Sequence, residues 1–301
     1  MSRIADQLVL HERFMSGKDS ILDVWARARS GDPQLLSLVG PTRVGKTKLL
    51  TRVIQEICGS QPDSRQSVIS VVSPKHLTGR ALPDACLASI GMNAGMFANH
   101  VAATNAFIKA VKKRGVELII FDETQHMLER GSSTTVRAAA DFIKGLFDQT
   151  QASIVLVGLP TLMGLFQANE QLADRARRPF EFYPYDWQGA DYKHFRAALG
   201  SALEYLTEMG WRTFALNDGE FSRRMYVATA GRFGLISKIF LEIQATNKSL
   251  VALYPEFARA YSGAVIGRLV EFNPFDETQK IQMEHMASVY AKVMLEVGVK
   301  V

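Results

Sequence analysis

The segment Gly40-Pro41-Thr42-Arg43-Val44-Gly45-Lys46-Thr47 restricts what this chain can fold into more than any other stretch. It is a complete G-x-x-x-x-G-K-T. The apolar run Leu35-Leu36-Ser37-Leu38-Val39 precedes it and a helical pattern from Lys48 to Ile57 follows it. Strand, glycine-bearing turn and helix start are the three parts such a motif requires. The glycines let the backbone wrap a phosphate chain, and N–H groups converge at the helix start, where the dipole favours anions. In that geometry Lys46 bridges the β- and γ-phosphates and the Thr47 hydroxyl ligates Mg²⁺, so ATP with Mg²⁺ is the expected ligand pair. The bland alternative is a strand–helix turn that matches all eight positions and both flanks by accident.

Further apolar runs at Val68–Val72, Leu118–Phe121 and Ile154–Val157 alternate with longer helical patterns, with Phe180–Tyr183 as a fifth strand candidate. Continuous apolar runs suit strands buried on both faces, and helices between them predict βαβ units with a parallel sheet. The fold class is therefore α/β. Beyond about Trp187 the pattern turns helical. Phe195, Leu199, Leu203 and Leu206 form one stripe and Leu235, Ile239 and Ile243 another; a last helix is predicted over roughly 276–296, lined by Met283, Met286, Val289, Tyr290 and Val293. Three regions result: a helical extension over 1–30, a nucleotide-binding core over 31–187 and a helical lid over 188–301.

Composition narrows the classes. With 22% charged and 9% aromatic residues, the chain is not largely disordered. No uncharged apolar run approaches the roughly 18 residues that span a bilayer, and the start lacks an apolar signal core. The expectation is a cytoplasmic protein without a membrane partner. Two cysteines, Cys58 and Cys86, make neither a disulfide framework nor a zinc site. Thirty-five Lys and Arg against 30 Asp and Glu leave a formal charge of +5, which permits a nucleic-acid partner without requiring one.

The second chemical signal is Leu118-Ile119-Ile120-Phe121-Asp122-Glu123, an apolar strand ending in two acids. Asp122 at the strand's carboxyl end would hold Mg²⁺ through water, and Glu123 would orient or deprotonate the water that attacks the γ-phosphate. A third lies in Arg175-Ala176-Arg177-Arg178-Pro179. These arginines read equally as a solvated helix end that offsets the dipole or as an arginine finger for a neighbouring subunit's phosphate.

In this order of elements the chain resembles the AAA+ ATPases and, more narrowly, the TniB/TnsC family of transposition regulators. The resemblance rests on Leu38–Thr42 with Gly45-Lys46-Thr47, on Phe121-Asp122-Glu123-Thr124-Gln125-His126-Met127-Leu128, on Ile154–Gly158 and on Gln171-Leu172-Ala173-Asp174-Arg175. It covers about residues 10–190, and Gly231–Ile236 resembles the start of the family's lid helix. It implies a five-stranded parallel sheet of order 5-1-4-3-2 with a helical lid. It also implies ATP-dependent assembly into rings or helical filaments on double-stranded DNA, without sequence preference. Its implied partners are further copies of the chain, a DDE transposase and a TniQ-type or TnsD-type target-selection protein, in a Tn7-like element. By the resemblance Arg175 acts across the subunit boundary, with Arg178 as second choice. Two positions depart from the AAA+ pattern. Gly158-Leu159-Pro160 stands where a polar sensor is usual, with Thr161 the nearest hydroxyl; Gly234 stands where the lid often carries an arginine, with Arg232 two positions earlier. Both departures suit slow, assembly-dependent hydrolysis.

For DNA, the basic and polar segment Ser73–Arg80 offers Lys75, Thr78 and Arg80, against the alternative of a solvated loop. Lys112-Lys113-Arg114 is read as the dipole-compensating end of a helix, and His126 as a packed residue. The last helix binds a partner or packs on the lid; both remain open. Competing functions are a helicase loader or initiator ATPase, and a scaffold in which ATP only locks subunits together. The absence of a winged-helix-sized basic domain after the lid counts against an initiator.

Overall fold

A computed structural model describes residues 11–60, 66–129, 132–246 and 249–299. The N-terminal extension expected over 1–30 therefore lies partly outside the described residues. The chain divides into two compact units: Ser16–Gly40 with Lys46–Phe182, and Met1–Met15 with Pro41–Gly45 and Tyr183–Val301.

The first unit is built on a sheet of β1 (Leu35–Val39), β2 (Val68–Val72), β3 (Leu118–Asp122), β4 (Ser153–Gly158) and β5 (Phe180–Glu181). Its order is β2-β3-β4-β1-β5 with every pairing parallel, the expected order read from the opposite edge. Strands β1, β3 and β4 are buried at every residue, as their unbroken aliphatic runs require in a sheet covered on both faces. Strand β2 lies at an edge, and its Ser70 and Val72 are exposed. Strand β5 is shorter than the four-residue run in the sequence. It pairs with Leu38 and Val39, the Phe182 N–H reaches the Val39 carbonyl at 2.7 Å, and Pro184 follows without a donor.

The helices α1 (Glu12–Arg29), α2 (Lys46–Gly59), α3 (Ala81–Ser89), α4 (His100–Arg114) and α5 (Ser133–Thr150) follow the strands' alternation. Helix α4 opens on Asn99, whose side chain caps the Ala102 N–H, and its last turn carries Lys112, Lys113 and Arg114. Arg114 donates to Gln66 Oε1 at 2.6 Å and to the Ile90 carbonyl at 3.1 Å, a structural role. After β4 come two short helices, α6 (Gly164–Ala168) and α7 (Glu170–Ala173), split at Asn169. The sequence pattern predicts one helix running on through Arg178. Instead it stops at Ala173, Ala176 bridges to Leu35, and the Arg177 N–H donates to the Leu35 carbonyl. Arg177 and Arg178 thus flank an incipient strand, whereas Arg175 still caps the short helix through the Gln171 carbonyl.

The second unit is helical: α8 (Gly189–Glu208), α9 (Gly219–Thr229), α10 (Phe233–Thr246), α11 (Tyr254–Ala264) and α12 (Met283–Glu296). Phe195, Leu199, Leu203 and Leu206 enter one buried cluster with Leu235, Ile239 and Ile243, as their helical spacing predicts. Helix α12 begins at Met283, seven residues later than its pattern suggested, and Met283 is exposed. The buried Arg224 guanidinium explains the delay. It donates to the carbonyls of Pro274, Asp276 and Gln279, each at 2.8 Å. Carbonyls committed to a side chain leave segment 274–279 irregular, and Asn273 and Asp276 turn it through bonds to the N–H groups of Phe275 and Thr278.

Candidate nucleotide site

Strand order brings the carboxyl ends of β1, β4 and β3 side by side, where open α/β sheets bind ligands. The Gly40 N–H donates to the Gly158 carbonyl at 3.1 Å, tying the loop's first residue to β4. The loop then turns through Arg43 (φ 65°) and Gly45 (φ 114°) before α2 starts at Lys46. Its helix start presents the positive dipole end to whatever the loop encloses.

Lys46 is buried at 8% exposure, and its Nζ donates to the Gly40 carbonyl at 2.7 Å. Burial lowers its pKa to about 8, opposed by the charges of Glu123 and Asp122. Asp122 is also buried, and burial raises its carboxyl pKa; the Glu123 N–H, donated to Oδ1 at 2.8 Å, and the Lys46 charge pull the other way. Lys46, Asp122 and Glu123 therefore form one low-dielectric cluster of opposite charges at the end of the sheet. Glu123 itself is half-buried in the left-handed region, φ 54°, a conformation that costs a non-glycine residue roughly 1 kcal/mol or more. Helical hydrogen bonding resumes immediately beyond it in the 3₁₀ turn Thr124–Met127.

The donor set fits a hydrated divalent cation. Asp122 Oδ2 has no hydrogen-bond partner among the described residues, and the Thr47 side chain is exposed one residue beyond the buried lysine. Hard oxygen ligands, few in number and beside a loop of the G-x-x-x-x-G-K-T pattern, suit Mg²⁺, which keeps several waters.

Gly40, Lys46, Asp122 and Glu123 thus come together, with Thr47 beside Lys46. Of the arginines, Arg175 pairs with Asp148 of α5, Arg177 with Asp23 of α1 at 2.8 Å, and Arg178 is exposed with no hydrogen bond among the described residues. Arg232 lies in the helical unit with Pro41–Gly45. It is 5% exposed, its Nε donates to the Thr229 carbonyl, and burial first, then the nearby Arg43 charge, lower its pKa against the pull of Glu296. Lys75 and Thr78 are exposed on the loop between β2 and α3. Thr78 also lines a cavity of about 390 Å³ with Leu77, His100, Thr104 and Asp141. Arg80 is committed locally: Nε binds Asp84 at 3.0 and 3.1 Å, and Nη2 the Ala94 carbonyl. His126 pairs with Glu129.

Two residues with roles in this geometry were not singled out from sequence. Gln125 is buried against Glu123; the sequence offered it only within the run Phe121–Leu128 that carries the resemblance, with no role attached. Asp148, 27 residues from Arg175, had none.

The sheet order, the loop after β1, the acids after β3 and the helical second unit define the AAA+ class of P-loop fold. Residues 3–183, more than half of the chain, match the family described as bacterial TniB protein, and the chain belongs to that family. Among solved structures, the ORC2 protein of Aeropyrum pernix in its ADPNP–ADP complexes is similar at 11% identity, over 95% of this chain and 81% of that one, with a TM-score of 0.61. Cdc6p of Pyrobaculum aerophilum follows at 11% identity, 88% and 75% coverage and a TM-score of 0.55. The Walker-type ATPase of Pyrococcus abyssi is similar at 16% identity over 77% of this chain and 65% of that one, with a TM-score of 0.51. These likenesses establish the fold. No curated protein matches the chain in sequence. Among the described residues no helix is long and apolar enough to cross a membrane.

Proposed function

We propose that the chain is an ATP-hydrolysing, DNA-associated transposition regulator whose subunits assemble on duplex DNA in the ATP state. The observation that carries the nucleotide chemistry is the buried Lys46 ammonium beside Asp122 and Glu123 at the carboxyl edge of the sheet. Loop Gly40–Thr47 wraps the triphosphate, and Lys46 exchanges the Gly40 carbonyl for phosphate oxygens. Thr47, and Asp122 through water, would hold Mg²⁺, which would supply neutralisation of phosphate charge. Glu123 orients the attacking water and accepts its proton. Arg175 reaches the phosphates of a neighbouring subunit, with Arg178 as alternate, and Arg232 is the remaining candidate nucleotide contact. In this reading residues 31–187 are the nucleotide core and 188–301 the lid.

Membership of the TniB family supports the transposition role. In that role the assembly contacts a DDE transposase and a TniQ-type or TnsD-type selector in the cytoplasm. Lys75 and Thr78, exposed on one loop, are the proposed phosphate contacts, repeated from subunit to subunit.

The test is electron microscopy of the protein with duplex DNA and a non-hydrolysable ATP analogue, beside phosphate release from ATP. Rings or helices threaded by DNA are expected for wild type. Lys46→Ala should form none. Glu123→Gln should form assemblies that persist with ATP; disassembly at the wild-type rate would instead favour the ATP-locked scaffold.

A further inference from the structure

The position after β4, where the AAA+ resemblance leads one to expect a polar sensor, is Gly158-Leu159-Pro160, which carries no polar side chain. The space is nonetheless filled. Gln125, 4% exposed, crosses from the turn after β3 to the end of β4. Its Oε1 accepts the Leu159 N–H at 3.1 Å, and its Nε2 donates to Glu123 Oε2. A Cβ on Gly158 would collide with Gln125 Oε1 and press within 3.2 Å of the Gln125 and Thr124 backbone nitrogens. Glycine at 158 is therefore what admits the glutamine.

We propose that Gln125 is the positioning residue for Glu123, a side-chain bridge that fixes the carboxylate to the β4 backbone and takes the place of the sensor that β4 lacks. A carboxylate has two oxygens and a freely turning terminal torsion. Glu123 receives its backbone restraint from Asp122, through the N–H, and its side-chain restraint from Gln125. The charged neighbours that couple to it are Lys46 and Asp122. With the amide in place, Glu123 Oε2 is occupied and Oε1 is left to face the water. An amide suits this task because it donates to the carboxylate and accepts from the backbone at once. Gly158 and Gln125 thus act as a pair from two strand ends.

The inference rests on Glu123 being the catalytic base, so Glu123→Gln is the control. Steady-state ATP hydrolysis on duplex DNA and equilibrium binding of a fluorescent ATP analogue are measured for each variant. Gln125→Ala and Gly158→Ala are expected to lower kcat on the order of 10- to 100-fold, the cost of a misplaced catalytic group, with analogue affinity nearly unchanged. Their double variant should be no slower than either single one, because both remove the same bridge. Gln125→Met keeps the unbranched shape and nearly the volume of the side chain and removes both bonds of the bridge. It should show the kcat of Gln125→Ala with analogue affinity nearly unchanged, and it decides the matter should Gln125→Ala not fold. Wild-type kcat in Gln125→Met, or additive losses in the double variant, would overturn the proposal. Wild-type hydrolysis in Glu123→Gln would overturn the base assignment on which it rests.

Discussion

Arg175 grips Asp148 side-on, with Nε 2.7 Å from Oδ1 and Nη2 3.2 Å from Oδ2, and its Nη1 donates back to the Gln171 carbonyl. Within one subunit this guanidinium is already held. A residue that acts on a neighbour's phosphate must either present its remaining N–H groups from this grip or leave it. Both side chains are about one-third exposed, so the pair contributes only about 0–1 kcal/mol and is easily broken. We predict that Arg175→Ala lowers assembly-dependent ATP hydrolysis while isolated subunits bind ATP as wild type does. Asp148→Asn should reach half-maximal hydrolysis at a lower protein concentration, because it releases the arginine. A titration of ATPase rate against protein concentration checks both; a rate curve for Asp148→Asn that matches Arg175→Ala would mean the carboxylate aims the arginine instead of restraining it.

His11 predicts acid sensitivity. It stacks on Phe233 at a centroid distance of 4.0 Å, and its Nδ1 accepts from the Phe14 N–H and lies 3.2 Å from the Tyr185 hydroxyl. Burial, then the Arg13 charge, lowers its pKa from 6.5 to about 3. Between those values the unfolded chain binds a proton that the folded one refuses. Stability should therefore fall as pH drops from about 6.5 toward 3, with a slope of up to about 1.4 kcal/mol per pH unit from this group. Urea unfolding at pH 7 and pH 5 checks it, and His11→Gln should flatten the dependence.

Gly234 predicts a steric limit. A Cβ there would collide with the Arg43 carbonyl oxygen and stand 2.9 Å from its carbon, both backbone atoms of the phosphate loop segment. This close approach explains the missing lid arginine, since no side chain fits against that carbonyl. Gly234→Ala should lose about 1–3 kcal/mol of stability by overpacking, or shift the loop and weaken nucleotide binding. Thermal melts with and without ATP will separate these, and a neutral substitution in both would show the approach to be looser.

Lys75 and Arg80 should separate on DNA. Lys75 is exposed and has no hydrogen bond or ion pair among the described residues, whereas Arg80 is engaged by Asp84 and the Ala94 carbonyl. Lys75→Ala should weaken duplex binding and reduce the slope of log affinity against log salt by about 0.9 for each phosphate the lysine neutralises. Arg80→Ala should cost about 1 kcal/mol of stability and leave that slope unchanged. Filter binding across a salt series distinguishes them.

Features that depend on residues close along the chain are legible from the sequence. The loop Gly40–Thr47, the acids closing β3, the buried strand runs and the stripe Phe195–Leu206 are each written in one continuous stretch, because strand burial and helical faces follow a fixed period. Tertiary structure alone decided partnerships across distance. Glu123 meets Leu159 through Gln125, Arg175 meets Asp148, and Arg224 draws in the carbonyls of 274–279 and so delays α12 to Met283. The side chains concerned are polar and carry no period; which donor reaches which acceptor is settled only when the sheet order brings strand ends together and burial makes an unpaired polar group costly.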